Sequence, residues 1–346
     1  MPAKPVRVIV SLDRADAATP AIFGGILAVA RRRGWRLLGP SATQADGWIG
    51  DPARPAGMVT ERGVTISADP FGNADVRPDA AAVGRMAAEH FLARGFRRFH
   101  SICPPGDPCG DAFAAAAGNA GGSCSFGTDL GGLDPGGKPV ACLAKSDAEA
   151  SRWISDARAA GWSVPADLAV LSVGNDVMDC ECAAIAISSI DVGPARLGRA
   201  AAERLHRLMR GRDVPAVEYL PPVAVVERES TDTLAVDDFE VATAVRFIRE
   251  HAAGPLRVGD VLRASGIDRR TLERRFAKHF VRSPAEAIRR TRVEIASKLL
   301  RETTLPMTEV ARASGFRLPQ YLAVAFKAIA GQTPTDYRAS MTGDTP

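Results

Sequence analysis

Between Val258 and Arg338 one helical pattern is written twice, and this duplication restricts the fold of the chain more than any other feature. The first copy, VGDVLRASGIDRRTLERRFAKHFVRSP, runs from Val258 to Pro284; the second, MTEVARASGFRLPQYLAVAFKAIAGQTP, runs from Met307 to Pro334. Ser265-Gly266 precedes Ser314-Gly315 by 49 residues, whereas Phe276 precedes Phe326, and Pro284 precedes Pro334, by 50, so the second turn holds one extra residue. A short helix, a glycine turn and a longer helix, repeated, predict two helix-turn-helix units, the device that places a second helix in a DNA groove.

In the first unit Gly266 ends one helix and Asp268 is placed to cap the next. Leu272 and Phe276, four apart, face inward, which turns Arg270, Glu273 and Arg274 outward with Arg269 at the helix start. Arginine can grip a guanine edge with two bonds, and glutamate can accept from cytosine. The same residues would suit a salt-laced surface helix with Arg269 and Glu273 paired at i,i+4; their position in the repeat favours base reading. In the second unit Leu322 and Phe326 take the inward places, leaving Pro319, Gln320, Ala323 and Val324 outward. Gln320 can bond adenine, and the small apolar pair can touch thymine methyl groups. Lys278, Arg317 and Lys327 complete the candidate DNA-contacting set, and the charged first unit is expected to carry most of the base-specific energy. Between the units, Ser283-Pro284-Ala285-Glu286 predicts a capping box with proline at the first helical position, opening a helix to about Leu300. Ile288, Ile295 and Leu299 form one apolar stripe on it, and Val293, Ala296 and Leu300 another. Such a helix can pack on both units and hold the reading helices about one DNA turn, near 34 Å, apart.

At 346 residues the chain exceeds what one core normally supports, so two domains are expected, and an apolar content of 46% leaves neither part disordered. The formal charge of +4 conceals an asymmetry: residues 241–346 carry +9 and residues 1–240 carry −5. A basic segment joined to a duplicated helical motif fits a polyanionic partner, double-stranded DNA. No apolar run approaches the roughly 20 residues that span a membrane. The start, MPAKPVRVIVSLDRADAA, reads as a first buried strand rather than an export signal, and six scattered cysteines read as reduced thiols, so a cytoplasmic protein is expected.

Ahead of the repeat, strand and amphipathic helix alternate. Arg7 to Ser11 is a β-branched run, followed by helical apolar positions at Ile22, Ile26, Val29 and Ala30; Asp79 to Ala93 reads as a helix closing at Gly95, and Phe96 to Cys103 as a strand. Asp147 to Ala160 is a further helix, Asp167 to Gly174 (DLAVLSVG) a central strand buried on both faces, Pro194 to Gly211 a helix and Pro222 to Val226 a last strand. This pattern predicts a doubly wound α/β domain that binds ligands beyond the carboxyl ends of its strands. The stretch from Ser41 to Pro78 does not divide clearly into elements. Glu227 to Glu240 (ERESTDTLAVDDFE) reads as a polar connector into a helix striped by Val241, Ala244, Val245 and Ile248.

The segments GWSVPADLAVLSVGND, SSIDVGPARLGRAAAERLHRLMRG and AAVGRMAAEHFLARGFRRF resemble the periplasmic-binding-like sensor domain of the LacI group. PPVAVVERESTD running straight into paired helix-turn-helix units, and the ending from Gly331 through QTPTDYR, are similar to AraC/XylS-type transcription regulators of the xylose-operon-activator family. The resemblance is strong from about Val164 to Arg338, weaker from Arg7 to Phe99, and poor between Cys103 and Lys138. It implies an α/β periplasmic-binding-like (doubly wound) sensor domain over residues 1–228, a linker over 229–240 and an all-α domain with two helix-turn-helix units over 241–340. It also implies a sugar effector, RNA polymerase as a partner of an activator, and a homodimer; neither a cofactor nor a metal is expected. Asp13, Asp16 and Asp176 lie at strand ends where such an effector would bind. Two departures indicate an altered or lost sugar site: the family's aspartate position holds Gly174, and the family's arginine is missing from Asp111 to Ala117.

Other residues have plainer readings. Asp147 is expected to cap its helix, Trp48 to sit in a core, and Cys180-Glu181-Cys182 to be loop thiols rather than metal ligands. The alternative function is an enzyme domain fused to the DNA-binding module, either a cysteine-dependent amidotransferase-like domain or a methyl-accepting DNA-repair protein. Pro104-Pro105 after Cys103 opposes the strained nucleophile elbow of the first, and Pro108-Cys109-Gly110 lacks the His-Arg continuation that the Pro-Cys-His-Arg sequence of the second requires. No enzymatic activity is expected.

Overall fold

The computed structural model describes residues 5–51, 62–133, 135–236, 238–280 and 283–342. The chain begins in one lobe with β1 (Arg7–Ser11), α1 (Thr19–Arg33), β2 (Arg36–Leu38), β3 (Gly47–Gly50), β4 (Gly63–Thr65) and β5 (Val76–Pro78). It crosses to a second lobe for α2 (Ala80–Leu92), β6 (Arg98–Ser101), α3 (Pro108–Asn119), β7 (Ser123–Phe126), β8 (Val140–Leu143), α4 (Asp147–Ala159), β9 (Leu168–Val173), α5 (Val177–Glu181) and β10 (Ser188–Asp191). Two more crossings follow: α6 (Pro194–Met209) and β11 (Glu218–Leu220) rejoin the first lobe, and β12 (Ala224–Val226) pairs antiparallel with β10 in the second.

The first lobe holds a parallel sheet ordered β2-β1-β3-β4 and the short parallel pair β11-β5; the second holds a sheet ordered β12-β10-β9-β8-β6-β7, parallel except for β12. The strand LAVLSV shows why a doubly wound sheet suits this sequence. Ala169, Leu171 and Val173 enter the core under α2 and α3, while Leu168 and Val170 enter the core under α4 with Trp153 and Trp162. Alternate side chains thus find apolar partners on both faces, as the continuous apolar run requires. In each lobe a pair of helices crosses at close range through a glycine. A Cβ on Gly198 of α6 would lie 2.0 Å from the Ile22 carbonyl oxygen of α1, and one on Gly84 of α2 would lie 2.1 Å from the Cys109 carbonyl oxygen of α3.

Strands are shorter than the sequence suggested, because β6 covers only Arg98–Ser101 and the last strand begins at Ala224 after two prolines. Helix α2 ends at Leu92, and Gly95 takes the left-handed conformation two residues past the Ala93 cap rather than capping the helix itself. Among the described residues, the region from Ser41 to Pro78 contributes three parallel strands, each only three or four residues long, too short to show alternation.

The C-terminal part is α7 (Phe239–His251), α8 (Val258–Ser265), α9 (Arg269–His279), α10 (Pro284–Glu302), α11 (Met307–Ala313), α12 (Pro319–Ala330) and α13 (Pro334–Thr342). Val241, Ala244, Val245 and Ile248 of α7 pack with Val261, Leu272, Phe276 and Phe280 around the first unit. Val310, Leu322, Phe326 and Tyr337 form the core of the second. Helix α10 serves both, but by halves rather than by two full-length stripes. Ile288 enters the first core; Val293, Ala296 and Leu300 enter the second, and Leu299 sides with them. The predicted capping box is half formed: Ser283 Oγ accepts from the Glu286 amide at 3.3 Å, while the Glu286 carboxylate turns to Arg289 and Arg290.

The two parts are docked on each other. Arg97, just before β6, donates to the carbonyl oxygens of His279 (2.6 Å) and Lys278 (3.4 Å) at the end of α9. The Ala235 amide donates to the Arg94 carbonyl at 2.8 Å, Arg290 pairs with Glu89 at 3.6 Å, and Val223 enters the core of the second unit.

Candidate nucleic-acid interface and effector cleft

Helix α9 is held by Asp268, whose carboxylate accepts from the Thr271 amide at 3.0 Å, and by the buried Leu272 and Phe276. That anchoring leaves Arg269, Arg270, Glu273, Arg274 and Lys278 exposed along one face. Arg269 and Glu273 form the i,i+4 pair at 2.8 Å. A pair this exposed is worth only about 0.3–0.5 kcal/mol, little hindrance to either group meeting a base edge. Arg275, by contrast, turns toward Asp238 and Glu240 at 3.4 and 3.3 Å and serves the junction with α7.

Helix α12 presents a different face. Arg317, Gln320 and Lys327 are exposed, Ala323 is half-buried, and Val324 is 72% exposed. Tyr321, which sequence reading passed over, is 57% exposed between Gln320 and the buried Leu322, and Leu318 is also open. Its signal was present, since Tyr321 aligns with Thr271 in the other copy and immediately precedes the inward leucine. The second reading helix is therefore aromatic and aliphatic where the first is charged.

In the cleft-facing loops of the sensor the structure corrects one expectation. Ser146, not Asp147, caps α4, accepting from the Glu149 amide at 3.3 Å. Asp147 is buried, and its carboxylate accepts from the hydroxyls of Ser172 and Ser189 (the latter at 2.6 Å) and from the Asp176 amide at 2.8 Å. Position 174 explains why. Gly174 has φ 128°, and a Cβ there would lie 3.0 Å from Asp147 Oδ2. The space next to the end of β9 is taken by a carboxylate from α4 that spends its acceptors inside the protein.

Asp176 caps α5, accepting from the Met178 and Asp179 amides. Asp13 and Asp16 accept from the Ala15 and Ala18 amides in the turn before α1. Asp51 joins them, accepting from the Asp13 amide at 2.6 Å; burial, then the charges of Asp13 and Asp16, raise its pKa. The first-lobe carboxylates are thus gathered together, with Asp176 placed beside Asp147 in the other lobe. Trp48 is a core residue against Ile9, Cys180 is buried, Cys182 is exposed, and Glu181 pairs with Arg228 at 2.6 Å.

From Asp147 a hydrogen-bonded series runs to the docking surface. Ser172 Oγ, whose hydrogen goes to Asp147, lies 3.3 Å from the Ser188 carbonyl oxygen, and Thr231 Oγ1 donates to Ser188 Oγ at 2.7 Å. Arg94 Nη1 donates to His90 Nδ1 at 3.1 Å, which leaves His90 Nε2–H to donate to Thr231 Oγ1 at 2.9 Å. Burial, reinforced by the Arg94 charge, pushes the His90 pKa well down, so the ring is neutral. Arg94 Nη2 also holds Glu227 at 2.7 Å. Against the upward push of burial, Arg94 and, more weakly, Arg249 of α7 bring the Glu227 carboxyl down to about 2. None of this was legible as a site in the sequence, although His90 near the end of α2 and Arg94 two residues beyond it stand four apart.

Residues 88–231 match the periplasmic binding protein-like domain and residues 261–340 match the helix-turn-helix domain. The Regulatory protein SoxS of Salmonella typhimurium is 31% identical over 98 residues, 28% of this chain and 92% of that protein. The chain belongs to the AraC-type transcription regulators, in the branch that carries a periplasmic-binding-like domain. The Xylose operon regulatory protein of Escherichia coli K12 is 36% identical over 176 residues, covering 51% of this chain and 45% of that one, so the chain spans about half the length of such curated relatives. The solved structure of a xylose-binding transcription activator, xylR, superposes with a TM-score of 0.55 at 25% identity, covering 98% of this chain and 99% of that one. The AraC-type unit thus includes α9 and α12, while the periplasmic-binding-like match begins inside α2 and ends at Thr231. Among the described residues no helix is long and apolar enough to cross a membrane.

Proposed function

We propose that this AraC-type regulator binds double-stranded DNA sequence-specifically, reading bases with α9 and seating α12 in the neighbouring groove. The observation that carries the reading is the repeated pair of exposed helix faces borne by one shared helix, α10, that enters both cores. Arg269, Arg270, Glu273, Arg274 and Lys278 are the contacts of the first unit; Arg317, Gln320, Ala323, Val324 and Lys327 are those of the second. The functional division is a sensor over 1–228, a linker over 229–240 and a DNA-binding domain over 241–340, although Ser230 and Thr231 are buried against the sensor. The regulator works in the cytoplasm as a homodimer and activates through RNA polymerase. It is not an enzyme; in support, Cys103 is buried and α3 begins only at Pro108, with no sharp strand-to-helix elbow between them.

A small effector between the lobes, near Asp13, Asp16 and Asp176, shifts the arrangement of the two parts by its differential affinity for two states. The sugar of the xylose-binding relative is not carried over, because position 174 holds glycine and the Asp147 carboxylate is satisfied internally. The test is selection of a cognate site from random DNA, followed by anisotropy titrations. Arg270→Ala and Arg274→Ala should each cost about 1–3 kcal/mol on that site and relax specificity. Equal affinity of wild type and both variants for the selected site would refute the reading.

A further inference from the structure

The loop from β6 to α3, Cys103-Pro104-Pro105-Gly106-Asp107-Pro108-Cys109, takes no part in the reading above. It lies at the carboxyl end of a parallel strand, the edge where α/β domains gather ligands. Lys145 after β8 and Asp176 after β9 come from the same edge. Cys103 and Cys109 are both fully buried, and their sulfurs are within hydrogen-bond reach of each other. The two sulfurs and a carboxylate oxygen of Asp107 all lie within 4.8 Å of one another. We propose that Cys103, Asp107 and Cys109 form a binding site for a thiophilic divalent cation of the zinc class.

The donor set matches that chemistry. Two sulfurs bound to one zinc at about 2.3 Å sit roughly 3.8 Å apart, so only a small adjustment closes the site, and three protein ligands leave a fourth position for water. The ligands are oriented from behind. Asp107 Oδ1 accepts from the Cys109 and Gly110 amides at 2.9 and 3.2 Å, which leaves Oδ2 for an ion, and Ser101 Oγ donates to the Cys103 carbonyl at 3.2 Å. Gly110 is what lets the first turn of α3 reach Cys103, since a Cβ there would lie 3.0 Å from Cys103 Cβ. The charges also close. Binding M²⁺ to two thiols and one carboxylate releases two protons and leaves a net charge of −1, and Lys145 lies close enough to both cysteines to offset it. The site stands one helix from the docking surface, because the Cys109 carbonyl abuts Gly84 of α2, the helix that carries His90.

The experiment uses the full chain, reduced and stripped with a chelator, titrated with Zn²⁺ against a chromophoric chelator and with Cd²⁺ while the thiolate-to-metal absorption is recorded. The expected result is one ion per chain, two protons released per Zn²⁺, and an affinity at least about 100-fold lower in Cys103→Ser and Cys109→Ser. Asp107→Asn, which keeps the helix cap and so tests the ligand apart from folding, should lose about 10- to 100-fold. Cys124→Ser and Cys182→Ser should bind as wild type. No uptake by the reduced chain, uptake unchanged in the Cys103, Cys109 and Asp107 variants, or a Cys103–Cys109 disulfide that re-forms on reduction–oxidation without metal uptake would each overturn the proposal.

Discussion

Replacing Arg97 with alanine should loosen the first reading helix from the sensor without unfolding either. The guanidinium donates to the His279 carbonyl at 2.6 Å and to the Lys278 carbonyl at 3.4 Å, at the negative end of α9. A hydrogen bond to a charged group contributes about 1.5–3 kcal/mol, and a cation at a helix C-terminus adds about 0.3–1 kcal/mol. Arg97 is only half-buried, so solvent screens part of both, and a net loss of about 2 kcal/mol is the working figure. That corresponds to roughly 30-fold in the opening equilibrium. Docking will not be abolished, because the Ala235 amide still reaches the Arg94 carbonyl and Arg290 still faces Glu89. Hydrogen exchange read by mass spectrometry should therefore show amides at the end of α9, the Phe280 amide on the Phe276 carbonyl among them, exchanging roughly 30-fold faster in Arg97→Ala. Those of α12 should stay as in wild type. Arg97→Lys, able to reach one carbonyl but not both, should fall between. Exchange at α9 unchanged within twofold, or equal acceleration in α12, would refute the reasoning.

Three further outcomes follow from the geometry. Glu227 lies at about 2 against an ordinary value of 4.5, chiefly through Arg94 of the same part of the chain, so its contribution to sensor stability is complete above about pH 4.5 and is lost as the pH falls through about 2. Its side chain is 44% exposed, which limits the contribution to about 1 kcal/mol; the pH dependence of sensor stability in urea should flatten below pH 4.5 in Glu227→Gln relative to wild type. Asp147→Ala strips two buried hydroxyls and the half-buried Asp176 amide of their acceptor and should lower sensor stability by about 3 kcal/mol in urea, whereas a purely surface role would leave it within about 0.5 kcal/mol. Phe326→Ala should cost about 3–5 kcal/mol and free α13 to proteolysis, because the ring also meets Tyr337 edge-on at 5.2 Å; a protected α13 in the variant would contradict this.

The helical half was readable in the sequence because its signals are local. Caps at Gly266 and Asp268, the inward Leu272 and Phe276, and the i,i+4 pair of Arg269 and Glu273 depend on neighbours within a few residues, and the structure contains each of them. The unbroken run LAVLSV likewise announced a strand covered on both faces. What remained hidden depends on residues far apart in the chain. Asp147 looked like a cap, and only the approach of Ser172 and Ser189 across the sheet, with Gly174 leaving room, made it a buried acceptor. The halves of α10 were assigned to different units by the angle between those units, which periodicity does not encode. His90, Arg94, Glu227 and Arg249 come from three separate stretches, and Cys103 meets Cys109 only because the Pro-rich loop folds back on α3. The sequence alone therefore determined the elements and their exposed chemistry, since backbone propensity and side-chain period act over one or two turns. The tertiary structure alone decided which polar groups were buried together, because that depends on packing between segments whose relative placement no local pattern specifies.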